Sequence, residues 1–274
     1  MLYPLLFSSI HKKMIWGSES WDVSCRQDEM SVIENGELAG LPFGEAIAKD
    51  PAAFLGTRVK ADKFPLLVKI IDTNDDLSVQ VHPNDTYAAE NGLESGKSEM
   101  WYVMEAPKGG SLIIGLAEGT TPSQLRDDPM SCLQRIPIKK GDIINIPAGL
   151  VHAITKGVKV AEVQQNSDIT FRLYDYNRLG LDGKPRELHI EQGLECVDFE
   201  ATQDRPLPFT VLRQEINGTV TEAGDPETFV ILTCVEGSCT VNGVPLSEGR
   251  SAFIPAALDS YTIEGACTLL KSSV

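Results

Sequence analysis

Apolar residues along this chain come in short runs of β-branched and aromatic side chains, not at the three-to-four spacing of an amphipathic helix. The segments 64–72 (FPLLVKIID), 77–82 (LSVQVH), 99–106 (EMWYVMEA), 111–116 (SLIIGL), 142–147 (DIINIP), 158–165 (VKVAEVQQ) and 169–176 (ITFRLYDY) each read as a strand. Gly, Pro, Asn and Asp bound them, and many short strands separated by turn signals predict a sandwich or barrel. Helical signals are few. FGEAIAKDPAAFLG (43–56) predicts a short helix interrupted near Pro51, and TPSQLRDDP (121–129) sets Thr121 and Pro122 to start another.

The chain also echoes itself. KKGDIINIPAGLVHAI (139–154) aligns with SEGRSAFIPAALDSYT (247–262) at a constant offset, Gly141 with Gly249, Ile146 with Ile254, and Pro147–Ala148 with Pro255–Ala256. VEGSCTVNG (235–243) reads as a hairpin feeding the second copy. His152 in the first copy aligns with Ser260 in the second, so the first unit carries candidate chemistry that the second lacks. The IPAG-x₂-H pattern resembles the second motif of the cupin superfamily. That resemblance implies a mainly β fold of two cupin-like double-stranded β-helix (jelly-roll) units with a few short helices. The expected division is a metal-binding domain over 1–195 and a smaller domain over 196–274.

Composition narrows the partners. With 274 residues, 42% of them hydrophobic and 23% charged, the chain has the makeup of an ordinary globular protein with a real core. A net charge of −15 argues against a nucleic-acid binder, though not against a small anion held in a locally basic pocket. No run approaches the roughly 18 apolar residues of a spanning helix. The opening MLYPLLFSSIHKK has its basic residues after its apolar run, unlike a signal peptide, so no membrane association is expected and the cytoplasm is the expected compartment. Six cysteines without a CxxC pair read as reduced core thiols. The sequence carries no signal of oligomeric state.

Candidate chemistry gathers in the first copy. Gln80 and His82, two apart on a strand, share a face, with Val79 and Val81 on the other. Lys97 and Glu99 again share a face at the start of the next strand, and His152 follows a glycine turn. Singly, each reads as a core histidine or a solvated carboxylate. Jointly, two imidazoles, a carboxylate and an amide oxygen suit zinc or a related divalent ion. On the 166–178 segment (NSDITFRLYDYNR), alternation puts Asp168, Thr170 and Arg172 on one face. Arg172 suits an oxyanion, a phosphate, or a structural pair with Asp168 or Asp175.

Taken together, FPLLVKIIDTNDDLSVQVHPND, GKSEMWYV, GDIINIPAGLVHAI and NSDITFRLYDYNR, with the early MIWGSESWDVS, resemble the type I mannose-6-phosphate isomerases (phosphomannose isomerases) in their short bacterial form. The match is strong over roughly 3–178. The resemblance implies one zinc ion per chain, ligated by Gln80, His82, Glu99 and His152. It implies Arg172 as the active-site arginine, Lys97 as a candidate acid/base, Asp168 near substrate and Trp16 lining the cleft. The implied activity is interconversion of mannose 6-phosphate and fructose 6-phosphate through a cis-enediol, with a small sugar phosphate as partner. The competing reading is a non-catalytic metal-binding cupin that holds a sugar or sugar phosphate.

Overall fold

The computed structural model describes residues 2–59 and 63–274. Strands dominate, as the short β-branched runs predict, and among the described residues they pair antiparallel in three sheets. The helix expected over 43–56 is two, Phe43–Lys49 and Pro51–Leu55, because Pro51 cannot continue the first. Asp50 sits between them and its carboxylate accepts from the Ala53 amide. Thr121 opens the helix Pro122–Asp127 with a capping box closed by Gln124. Two further helices, Asp85–Glu90 and Ile190–Cys196, lie outside the sequence expectation.

The chain divides into two compact units, one of Met1–His11, Ser20–Ile70 and Pro208–Val274, the other of Lys12–Glu19 and Ile71–Leu207. The expected 1–195 and 196–274 division follows the chain, whereas these units do not. The N-terminal strand Leu5–Ser8 pairs with Ser251–Ile254, Leu5 opposite Phe253, and so belongs with the C-terminal sheet. In that unit Phe43 packs against Phe7, Phe253 and Phe64 at ring-centre distances of 4.7, 4.9 and 5.0 Å. Asn242 and Gly243, both left-handed, make the tight turn from Val230–Val241 into Val244–Ser247 that the hairpin signal anticipated.

In the second unit a five-stranded sheet runs in the order Phe171–Tyr174, Val79–Val81, His152–Ala153, Ser111–Leu116, Leu133–Pro137. Its inner side chains Leu112 and Ile114 share one apolar core with Trp101, Val103, Ile144, Ile146 and Val160 from the strands Glu99–Glu105, Ile143–Ile146 and Lys159–Gln165 of a six-stranded sheet. Val79 and Val81 face the other way, into a cluster with Leu125 and Leu173. Alternation along 79–82 therefore aims Gln80 and His82 inward, as expected.

The internal echo is structural. Gly141 and Gly249 both take φ near +90° or +80° (90 and 81). Each donates its amide to a carbonyl of the preceding long strand at 2.8 Å, Val103 in one unit and Cys234 in the other. The Pro147–Leu150 turn recurs as Pro255–Leu258. In register, Ile146 lies opposite Glu99, and Ile254 lies opposite Val230. Val230 and Ser260 thus occupy the places of Glu99 and His152.

Phe43 is fully buried at the centre of its aromatic cluster. Phe43→Ala is expected to lower the unfolding free energy by about 3–5 kcal/mol, measured by denaturant titration; a loss below about 1 kcal/mol would show that the cluster collapses to fill the gap.

Candidate active site

Three segments deliver the four candidate ligands. His82 follows the strand Val79–Val81, and Pro83 ends that strand. The carbonyl of His82 accepts from Gly149 at 2.9 Å, which fastens the IPAG turn beside it. His152 opens its own short strand and lies directly opposite Gln80. Glu99 begins the strand Glu99–Glu105, and the carbonyl of Pro83 accepts from the Lys97 amide at 2.9 Å. The link between these ligands is folded by the helix Asp85–Glu90, capped where Asn84 accepts from Tyr87 at 2.8 Å.

His82, Glu99 and His152 form the one metal-competent cluster of three such residues among the described residues. Their exposures are 1%, 1% and 0%. Both imidazoles are fixed in the same tautomer. Nδ1–H of His82 donates to the Ile169 carbonyl and Nδ1–H of His152 donates to the Leu150 carbonyl, each at 2.8 Å. The two Nε2 atoms are then left as acceptors and face each other at 3.2 Å. His82 Nε2 lies 3.2 Å from Glu99 Oε1, and His152 Nε2 lies 3.8 Å from Oε2. Lys97 Nζ stands 2.8 Å from Oε1, yet neither Glu99 oxygen accepts a well-formed hydrogen bond.

Electrostatics agree with that arrangement. Burial first, and the charge of Lys97 second, bring His82 down to about 3. Burial also lowers His152, so both rings are neutral near pH 7. Burial pushes Glu99 up, but the charge of Lys97, 2.8 Å away, is the largest opposing influence and the carboxyl stays well below its usual range. The site is therefore a carboxylate and two bare imidazole nitrogens in a dry place. Separations of 3.2–3.8 Å are those of ligand atoms sharing one ion at bonds of about 2 Å. Gln80 Nε2 approaches His152 Nε2 at 3.3 Å, and rotating the amide by half a turn presents its oxygen instead.

The other expected residues divide. Arg172 lies opposite Gln80 on the strand Phe171–Tyr174. It is half-buried, and its buried Nε has no acceptor. Asp168 does not share a strand face with it: the strand begins at Phe171, and Asp168 is exposed in the loop before it. Trp16 is 3% exposed and packed in the apolar core, so its ring supports the site from behind and does not line it. A tryptophan that the sequence reading passed over does touch the site. Trp101 packs edge-on against His152 at 5.4 Å and donates its indole N–H to Glu162 at 2.8 Å. Its signal was the alternation Lys97, Glu99, Trp101.

Comparison with known proteins agrees with this geometry. The family model for the type I phosphomannose isomerase catalytic domain matches residues 9–118, and that for the mannose-6-phosphate isomerase cupin domain matches 206–274. Mannose-6-phosphate isomerase ManA of Bacillus subtilis is 33% identical over 309 residues, 96% of each chain. The chain belongs to the type I mannose-6-phosphate isomerase family. Mannose-6-phosphate isomerase of Streptococcus mutans is likewise 33% identical, covering 99% of this chain and 98% of its own. The crystal structure of the mannose 6-phosphate isomerase from Bacillus subtilis superposes with a TM-score of 0.91 at 31% identity over 99% of both chains. A putative mannosephosphate isomerase from Archaeoglobus fulgidus, 21% identical over 99% of this chain and 98% of its own, shares the fold at a TM-score of 0.81. Membership in this metal-dependent family makes the chain an aldose–ketose isomerase and decides against the non-catalytic binding module.

A metal that binds only the folded chain stabilises it by mass action. Chelation is expected to lower the thermal midpoint by several degrees and divalent metal to restore it, while His152→Ala shows no response to either, as followed by circular dichroism. An unchanged midpoint in the wild type after complete metal removal would speak against the cluster as a binding site.

Proposed function

We propose that one zinc ion per chain is held by His82, Glu99 and His152, with Gln80 completing the set, and that Lys97 and Arg172 work beside it. The reaction is the family's: interconversion of mannose 6-phosphate and fructose 6-phosphate. The observation that carries the assignment is the pair of acceptor Nε2 atoms 3.2 Å apart beside a buried carboxylate. Imidazole nitrogen with carboxylate and amide oxygen, and no thiolate, suits zinc in an open catalytic site. Bound there, the ion supplies Lewis acidity toward a carbonyl oxygen.

The chain's own groups account for the remaining demands. Isomerisation moves a proton between C2 and C1 through a cis-enediol, and negative charge develops on the substrate oxygens. Arg172 carries a permanent planar charge, half-buried, with Nε lacking an acceptor. Such a donor stabilises developing oxyanion charge without reorganising. The Lys97 ammonium, 4% exposed, lies 3.3 Å from His82 Nε2 and is the group we assign to proton transfer. Asp168 adjoins Ile169, whose carbonyl fixes His82, and we retain it as a rim residue toward substrate. Trp16 we assign to the core. We place the reaction in the cytoplasm, a reducing compartment in which six free thiols persist.

A coupled assay converting fructose 6-phosphate to mannose 6-phosphate tests this. Arg172→Ala is expected to lose about 100-fold or more in turnover while keeping its fold and about one zinc per chain by elemental analysis. Wild-type turnover in that variant, or a wild-type enzyme that isomerises with no metal bound, would sink the assignment.

A further inference from the structure

We propose that Arg186, aimed by Asp175, seats the phosphate group of the substrate on the far side of Arg172 from the metal ligands. This rests on the isomerase reading above and adds the group that recognises the phosphate end. The stretch from 172 to 186 carries Arg172, Arg178 and Arg186, a local concentration of guanidinium in a chain of net charge −15. A single buried carboxylate organises two of them. Asp175, 4% exposed, accepts from Arg186 Nε at 2.7 Å and from an Arg186 Nη at 2.5 Å. It also accepts from Arg178 Nε at 3.0 Å and from an Arg178 Nη at 2.9 Å.

Every nitrogen of Arg178 has a carboxylate partner, since its other Nη donates to Asp75 at 3.3 Å. Arg186 keeps one Nη beyond its two bonds to Asp175, and its side chain is 18% exposed. Arg172 is not drawn into the Asp175 cluster. It is held by its backbone, whose amide donates to His189 Nδ1 at 3.3 Å and whose carbonyl accepts from the His189 amide at 2.8 Å. The 186–189 segment returns alongside 172–175, with His189 against the Arg172 backbone and Arg186 against Asp175. Burial first and then the charge of Arg186 lower the Arg172 pKa, while Asp175 and Glu187 raise it. Arg172, with a buried Nε lacking an acceptor, and Arg186, with one Nη to spare, are both open to a further anion, and a phosphate oxygen set matches the guanidinium fork.

The placement suits a sugar phosphate. Gln80 stands at 3.3 Å from His152, and Arg172 lies on the neighbouring strand directly opposite Gln80. Neighbouring strands are about 4.8 Å apart, so Arg172 stands one strand out from Gln80, and Arg186 is tied to Asp175, three residues further along that segment. The backbone supports the same conclusion. Tyr176 and Asn177 take φ of +56° and +53°, unusual for a bulky aromatic, and the Arg178 amide closes the turn on the Asp175 carbonyl at 3.2 Å. Asp175 thus spends its hydrogen bonds holding a strained turn and two arginines, which makes it a positioning residue.

The test is steady-state kinetics with fructose 6-phosphate together with calorimetric binding of inorganic phosphate. Arg186→Met is expected to raise KM about tenfold or more with kcat within about threefold, and to weaken phosphate binding by a similar factor. Arg186→Lys, with the charge but not the fork, falls between. Asp175→Asn reproduces the KM-selective loss if it folds. A metal-loaded Arg186→Met enzyme with wild-type KM and wild-type phosphate binding overturns the proposal, as does one that loses kcat at unchanged KM. Phosphate binding is read without turnover, so it judges the seat even if the wild-type enzyme fails to isomerise, an outcome that would count against the isomerase reading alone.

Discussion

The structure depends on one constraint: two imidazole nitrogens and a carboxylate are held within about 4 Å of each other, out of water, with no proton between them to share. The Ile169 and Leu150 carbonyls fix both tautomers, so neither ring relieves the conflict by turning its N–H inward. Protonating the rings is no remedy, because burial and Lys97 oppose it. Lys97 offsets the carboxylate charge but leaves the nitrogen lone pairs facing each other. A divalent cation satisfies all of them at once. The strands, the Gly149 turn and the capped helix at Asn84 serve to bring these groups to one point.

The second copy shows that the scaffold does not require that site. Its turn glycine, its Pro-Ala turn and its strand pairing repeat those of the first copy, yet Val230 and Ser260 stand where Glu99 and His152 would be. Its interior is apolar, with Leu232, Cys234, Ile254 and Leu269 packed together. The backbone frame is therefore common property, and the cost of burying polar ligands is borne by local contacts: the Nδ1 bonds, Lys97 beside Glu99, and Trp101 against His152. That separation of frame from chemistry is what lets one unit hold the reaction and the other only the fold.

The convergence of the candidate ligands was legible because strand geometry is a strict rule. Period-two alternation aimed Gln80 and His82 to one side with Val79 and Val81 to the other, and the observed cores agree. Pro51 and the Thr121 cap announced their helices through mechanisms that act within a few residues. Alternation failed where the strand it presumed was absent: it ran back from Arg172 to Asp168, but hydrogen bonding stops at Phe171. Trp16 was misjudged because burial is a property of the whole core, and a tryptophan beside a glycine looks alike in a cleft or beneath it. The joining of Leu5–Ser8 to the C-terminal sheet was out of reach for the same reason, being a pairing between residues some 250 positions apart.

Charge distribution explains how so acidic a chain holds an anionic substrate. Lys97 offsets Glu99 and both histidines are neutral, so a divalent ion bound there would leave the site positive. Arg172 lies on the strand next to Gln80, and Asp175 gathers Arg178 and Arg186, with Asp75 also on Arg178. Fixed cations thus gather into a local field here although the chain's total is −15. In a partly desolvated pocket such a field falls off slowly, whereas the acidic surface is screened by salt over about 8–10 Å. The outer acidity is therefore compatible with an anionic substrate, because the site's own carboxylates, Glu99 and Asp175, are each paired with cations.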